Sequence, residues 1–238
     1  MENNGHTIYP IAHFCSPFKS KFGIPRQSGL IEELEGTIVL EPYYRQHEAL
    51  RGLEEFDYIW LIWGFSANEK DKNKESDTCT PSLTVRPPRM GGNIRMGVFA
   101  TRSPFRPNGL GLSSVRISRI EWECKDGPVI HVLGADLMDG TPIYDMKPYL
   151  KQTDCHVESH GGFTERHEWK LLDVVFDNET EEALSEEERK ILSHILELDP
   201  RPHYQNDKER TYGMTFGRYD IHFKVDGNVL RVSSIVIH

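Results

Sequence analysis

The chain has 238 residues, of which 37% are hydrophobic and 10% aromatic, and a formal net charge of −9. That content excludes wholesale disorder and supports one large domain, or a medium domain with a small partner. The acidic balance argues against a general nucleic-acid coat protein, yet leaves room for one basic face.

In chain order, Ile8 to Phe14, Gly36 to Leu40, Asp57 to Phe65, Gly97 to Thr101, Leu112 to Trp122 and Val129 to Leu133 read as strands. They are short, rich in β-branched and aromatic residues, and mostly bounded by turn formers such as Lys125-Asp126-Gly127-Pro128. Strands in such a series predict an antiparallel barrel or sandwich, and the lack of β-α-β alternation disfavours a doubly wound sheet. Gln46 to Glu54 is a helical or irregular stretch, and Asn68 to Pro81 a polar loop. Lys151 to Glu165 reads as a junction. Asn178 to Leu198 then has apolar residues on one side at helical spacing, with Thr180 or Ser185 as the cap and Asp199-Pro200-Arg201-Pro202 as the stop. Tyr212 to Val225, the Asp226-Gly227-Asn228 turn and Val229 to Ile237 form a hairpin. The expected architecture is mainly β: a β-barrel domain over residues 1–155 and a small α+β domain over 165–238.

The longest apolar run, Tyr58 to Phe65, is too short for a membrane span, and Met1 to His6 lacks the order of a secretory signal. Four widely spaced cysteines without a C-x-x-C pair fit a cytoplasmic protein and exclude a structural zinc site of that type. The histidines form no metal-binding spacing, so no metal is expected.

Charge is distributed unevenly. Thr78 to Ile120 holds seven arginines and no Asp, Glu or Lys. Guanidinium is always charged and grips phosphate or carboxylate with paired hydrogen bonds. Arg86 and Arg89 in the Pro/Gly-rich run to Asn93, with Arg95 and Arg106, are the candidate contacts to the phosphates of an anionic, nucleotide-like partner. Gly109-Leu110-Gly111-Leu112-Ser113-Ser114 lacks the third glycine of a dinucleotide fingerprint and leads into a strand, which disfavours a Rossmann site. Asp139-Gly140-Thr141-Pro142 after a strand is either a plain tight turn or a ligand loop, and Pro25-Arg26-Gln27-Ser28-Gly29 is another Gly/Pro loop.

Arg86-Pro87-Pro88-Arg89, Met96 to Pro107, Asp139 to Pro142, Lys147-Pro148-Tyr149-Leu150, Pro25-Arg26-Gln27 and Asp199 to Pro202 together resemble the TsaA-like family over nearly the whole chain. The resemblance implies a β-barrel tRNA adenine N6-methyltransferase that uses S-adenosyl-L-methionine, works as a homodimer, and acts on threonylcarbamoyl-adenosine beside the anticodon of threonine tRNA. Carried over by motif, the cofactor contacts would be Gln27, Ser28, Gly29, Ser66, Ala67, Arg102, Leu112, Asp136, Leu137, Met138, Asp139 and Gly140. Ser28 stands where the bacterial pattern has Pro, Ser66-Ala67 where it has His-Gln, and Gly109-Leu110 where it has Pro-Ile. Asp136, Asp139 and Asp145 are the candidate proton acceptors, while Phe99, Phe105 and Tyr144 are candidates to stack on a base. A non-catalytic RNA-binding β-module, or a methyltransferase with another acceptor, stays open.

Overall fold

A computed structural model describes residues 5–65, 83–87, 94–125, 127–166, 170–201 and 207–238. The expected loop over Asn68 to Pro81, the candidate residues Ser66, Ala67 and Arg89, and Cys79 lie outside the described residues. In chain order the strands are β1 (Ala12–Cys15), β2 (Glu35–Leu40), β3 (Tyr58–Gly64), β4 (Thr84–Val85), β5 (Met96–Gly97), β6 (Leu110–Glu121), β7 (Val129–Leu133), β8 (Thr141–Pro148), β9 (Asp173–Phe176), β10 (Tyr212–Phe216), β11 (Tyr219–Asp226) and β12 (Val229–Ile237). The helices are α1 (His47–Leu50), α2 (Lys151–Asp154), α3 (Asn178–Glu182) and α4 (Glu186–Glu197).

Six strands close into an antiparallel ring in the order β1-β2-β7-β6-β3-β8, with β8 pairing back to β1. Closure leaves no free edge in this sheet. Side chains alternate with period two. Ile59, Leu61 and Trp63 of β3, Ser113 and Val115 of β6, and Ile130 and Val132 of β7 point inward and are buried. Register shifts at Ile62/Trp63 and at Ile117/Arg119 supply the local bends that curvature requires. Phe14 is among the side chains that fill the interior and lies over Gly36: a Cβ there would come 2.2 Å from the Phe14 Cζ.

The second sheet runs β10-β11-β12-β9, with β9 parallel to β12. It buries Ile221, Phe223, Leu230 and Val232 against Leu192, Ile195 and Leu196 of α4. Phe18, Ile31 and Leu34, from the segment between β1 and β2, belong to this same core. Gly217 N–H donates to the Pro17 carbonyl (2.8 Å), and Glu33 pairs with Lys190 of α4 at 2.8 Å. The N-terminal segment therefore packs on the C-terminal sheet before returning to the ring.

Several expectations shift. Of the expected strand Gly97 to Thr101 only Gly97 is in a strand, at the end of β5, and Val98–Ala100 is a tight turn, with the Thr101 amide and hydroxyl both bonding back to the Val98 carbonyl (3.2 and 2.9 Å). The expected helix over Asn178 to Leu198 divides in two. Ser185 accepts from the Glu188 amide while Glu188 reaches back to the Ser185 amide, a capping box that starts α4 afresh. Gln46 to Glu54 shortens to α1 and a following turn. Strands β4, β8 and β9 are additions to the sequence reading, and the expected hairpin arm Tyr212 to Val225 divides at Gly217 and Arg218 into β10 and β11, which pair with each other.

Gly36→Ala is expected to destabilise the ring by roughly 1–3 kcal/mol, since Phe14 has no space to withdraw into. Urea unfolding measures this. A midpoint equal to that of the parent would contradict the packing described.

Candidate functional site

A cavity of about 490 Å³ opens where the end of β3 meets the starts of β6 and β8. Its walls come from four stretches. Residues 21–27 form one, Trp63 to Phe65 and Leu110 to Leu112 form the strand wall, the loop from Thr101 to Arg106 forms another, and Asp136 with Met138 forms the last. The volume suits a drug- or nucleoside-sized ligand, and the lining is mostly apolar with a few polar groups, as ligand sites are.

The strand wall is set by Gly111. A Cβ at that position would lie 2.3 Å from the Trp63 ring, so only glycine lets the indole lie across β6. The ring also contacts Phe65 edge-on at 4.4 Å between centroids. Trp63 Nε1–H donates to Ser113 Oγ (3.0 Å), and the Ser113 hydroxyl donates to Asp136 Oδ1 (2.5 Å). Burial pushes the Asp136 carboxyl above the ordinary carboxylate range. Ser113, the backbone at residue 136, the Arg102 charge and a backbone hydrogen bond from Ser28 oppose that shift.

The opposite contributions are relayed from the C-terminal half. Arg201 is almost fully buried and forks onto Asp199, Nε to Oδ1 at 2.8 Å and Nη2 to Oδ2 at 2.9 Å. Asp199 sits at φ 49°, a left-handed backbone rare for a residue other than glycine. In that conformation its carbonyl accepts from Arg26 Nη2 at 3.1 Å. Gln27 Nε2 then donates to the Arg26 carbonyl, and Gln27 Oε1 accepts from Arg102 Nη1. Arg26, Gln27 and Arg102 all line the cavity.

The loop carrying Arg102 and Arg106 holds itself in shape. Arg106 Nη1 donates to the Thr101 carbonyl (2.8 Å), the Ser103 amide to Thr101 Oγ1 (3.3 Å) and the Phe105 amide to Ser103 Oγ (3.2 Å). Phe99 and Phe105 are left 75% and 67% exposed beside it, and Leu112 is 55% exposed, so an apolar face adjoins the arginines.

Of the sequence candidates, Gln27, Arg102, Arg106, Leu112, Asp136 and Met138 meet at the cavity. Ser28 reaches Asp136, and Gly29 N–H donates to the Gly134 carbonyl at 2.8 Å. Leu137 is buried in the ring core. Asp139 and Gly140 tie down the chain after β1: Asp139 Oδ1 accepts the Ser16 amide (3.0 Å) and Gly140 N–H donates to Phe14 (2.8 Å). Asp145 accepts from the Met146 amide and faces Lys147 at 3.6 Å, away from the lining set. Tyr144 lies against Gly64, while Arg86 and Arg95 are exposed. Thr141 of the expected ligand loop lines the cavity, as do Lys21, Trp63 and Phe65, which are not among the sequence candidates. Trp63 and Phe65 sit within an apolar run that reads only as core, and their one signal is the glycine pair that faces them across the sheet.

Asp136→Asn removes the buried charge. Because the folded-state pKa is raised, the ionised carboxyl lowers stability at neutral pH, and this loss vanishes as pH falls through the raised value. The variant should melt at or above the parent near pH 8, with the advantage gone by about pH 4. A deficit of equal size at both pH values would contradict this assignment.

Comparison with known proteins covers both halves. Residues 13–155 match the tRNA-methyltransferase O N-terminal domain and residues 170–237 the TrmO C-terminal domain. The tRNA (adenine(37)-N6)-methyltransferase of Escherichia coli is 35% identical over 218 residues, covering 88% of this chain and 89% of that protein. A Pseudomonas aeruginosa protein, RcsF, whose name assigns it to the S-adenosylmethionine-dependent methyltransferases, is 36% identical over 225 residues, 92% of each chain. The crystal structure of TrmO from P. aeruginosa superposes with a TM-score of 0.76 at 29% identity, covering 100% of both chains.

Proposed function

We propose that this chain, which belongs to the tRNA-methyltransferase O (TrmO) family, is an S-adenosylmethionine-dependent tRNA methyltransferase acting on the N6 of adenine. The acceptor in this reading is threonylcarbamoyl-adenosine beside the anticodon of threonine tRNA, and the enzyme is a cytoplasmic homodimer. Residues 1–155 are read as the ring-shaped methyltransferase domain and 165–238 as the small C-terminal domain. The observation that carries the proposal is the meeting of Gln27, Arg102, Leu112 and Asp136 at one apolar cavity beside an arginine-bearing loop.

The cavity suits the cofactor. It combines aromatic and aliphatic walls with one carboxylate able to face positive charge and a ring of donors around Gln27 and Arg102. When bound, S-adenosylmethionine supplies a methyl group already activated on sulfonium. The chain's part is to align the acceptor nitrogen, exclude water and take a proton. Trp63, Phe65 and Leu110 make the wall dry. The acceptor nitrogen sheds a proton on methylation, and Asp136, whose affinity for protons is raised by burial, is the group read as taking it. The anticodon loop is largely single-stranded, so its base reaches a pocket without breaking a duplex. Phe99 and Phe105 are exposed for stacking, and Arg86, Arg95 and Arg106, with Arg89 outside the described residues, are read as phosphate contacts. No described helix is long and apolar enough to cross a membrane.

Incubation with labelled cofactor should transfer label to tRNA carrying the threonylcarbamoyl group and not to tRNA lacking it. Label on another base, or on protein, would overturn the acceptor; no transfer to any RNA would favour a binding module. Arg102→Ala should weaken cofactor binding on the order of tenfold, the worth of one charge-assisted hydrogen bond. Arg86→Ala should leave cofactor affinity intact and reduce the salt slope of RNA binding by about one unit.

A further inference from the structure

The line of hydrogen bonds from Trp63 to Asp136 runs in one direction, and side-chain chemistry fixes which. An indole N–H can only donate. Ser113 Oγ receives it at 3.0 Å and so has its own single hydrogen left to give. Ser113 is 1% exposed, so solvent offers no alternative acceptor. Among the described residues its other partner is Asp136 Oδ1, at 2.5 Å. A hydroxyl hydrogen left unplaced in a buried position is costly, so it goes to Oδ1. Oδ1 is then an acceptor in both protonation states of the carboxyl, and Oδ2 is the oxygen on which a proton is held.

The backbone builds this placement in from both sides. Trp63 of β3 pairs with Gly111 of β6, and Ser113 lies two residues further along the same face. Because a Cβ at Gly111 would strike the indole, glycine there is what lets Nε1 reach Ser113. The Asp136 side is pinned before and after the carboxyl. Gly134, at φ 76°, donates to the Leu34 carbonyl (2.9 Å) and its own carbonyl accepts the Gly29 amide (2.8 Å). The Asp139 amide donates to the Phe18 carbonyl (2.8 Å). Burial raises the proton affinity of Asp136, and the Ser113 bond is foremost among the influences that oppose it, with Arg102 as the charge that does so. Arg106 of the same loop and Lys21 and Arg26 of the facing segment are the other charged groups of the described lining. Asp139, further along the stretch that carries Asp136, is tied to the Ser16 amide.

We infer that Trp63 and Ser113 are positioning residues for proton transfer: by occupying Oδ1 they make Oδ2 the atom that accepts the proton shed by the acceptor nitrogen. This rests on the reading of Asp136 as the proton acceptor given above. The nitrogen keeps the electron pair of its N–H bond, and Oδ2 takes the proton. The carboxylate becomes a neutral carboxyl that still receives the Ser113 hydrogen, and it returns the proton to water before the next turnover.

The experiment titrates the whole chain without cofactor and follows isotope-labelled aspartate carboxyl carbons by NMR, with Asp136→Asn identifying the signal. In Ser113→Ala the midpoint should move to higher pH, on the order of tenfold in proton affinity, because the lost bond favoured the ionised form. That variant leaves the indole N–H unpaired. The double variant Trp63→Phe/Ser113→Ala removes both partners, which is close to neutral for folding, and should show the same displacement. In Trp63→Phe alone the hydroxyl remains but is no longer compelled to donate to Oδ1, so the midpoint should move the same way by less. The acid limb of the kcat profile for tRNA methylation should follow the NMR midpoint in the parent and in each variant. Midpoints at the parent's value in both Ser113→Ala and the double variant would overturn the proposal. A parent-like midpoint in Trp63→Phe would remove Trp63 from it. Midpoints that move while the acid limb stays in place, or an Asp136→Asn variant with the parent's kcat profile, would instead overturn the reading of Asp136 as the proton acceptor.

Discussion

One backbone carbonyl joins the two halves of this molecule at the cavity. Asp199 holds a left-handed conformation, with its carboxylate gripped by the buried Arg201, and from there its carbonyl meets Arg26 at 3.1 Å. A non-glycine residue in that region costs on the order of 1 kcal/mol and persists only where its surroundings fix it. Here the fork from Arg201 fixes it. Arg26 then holds Gln27, and Gln27 holds Arg102. The C-terminal half therefore shapes a cavity whose strand walls belong to the ring, and the Asp199-Pro200-Arg201 motif has a structural role beyond ending a helix.

The strand walls follow a different logic. A closed ring of six strands has little room inside, and Phe14 over Gly36 is among the side chains that occupy it. Polar chemistry is thereby displaced to the ring's end, where Trp63, Ser113 and Asp136 form one hydrogen-bonded line. That line keeps a carboxyl within an apolar lining and raises its proton affinity. Such a group is unfavourable for stability and favourable for proton transfer, the usual balance at functional sites.

Period-two alternation made the ring strands legible: Val129 to Leu133 was read at its observed bounds, and Gly36 to Leu40 is one residue short. β8 was missed because Asp139-Gly140-Thr141-Pro142 carries turn chemistry at its start, and a proline at its second position masks the pattern. Val98 to Thr101 has strand composition but bonds to itself, with the Thr101 hydroxyl supporting the turn. Of the site, the arginine loop and Asp136 were legible from charge and motif. The place of Arg26 was not, since it depends on Asp199, 173 residues away in the chain. Ser66 and Ala67, where the chain departs from the bacterial pattern, lie outside the described residues.

Hydrogen–deuterium exchange with and without S-adenosylhomocysteine tests the central claim most directly, because it reports the binding surface without requiring turnover. The account predicts added protection in residues 21–29, 101–106, 110–112 and 134–138 together, with the loop between Asp199 and Arg201 stiffened through Arg26. Protection confined to one half of the chain, or absent from the 101–106 loop, would contradict a cavity built jointly by the ring and the C-terminal module.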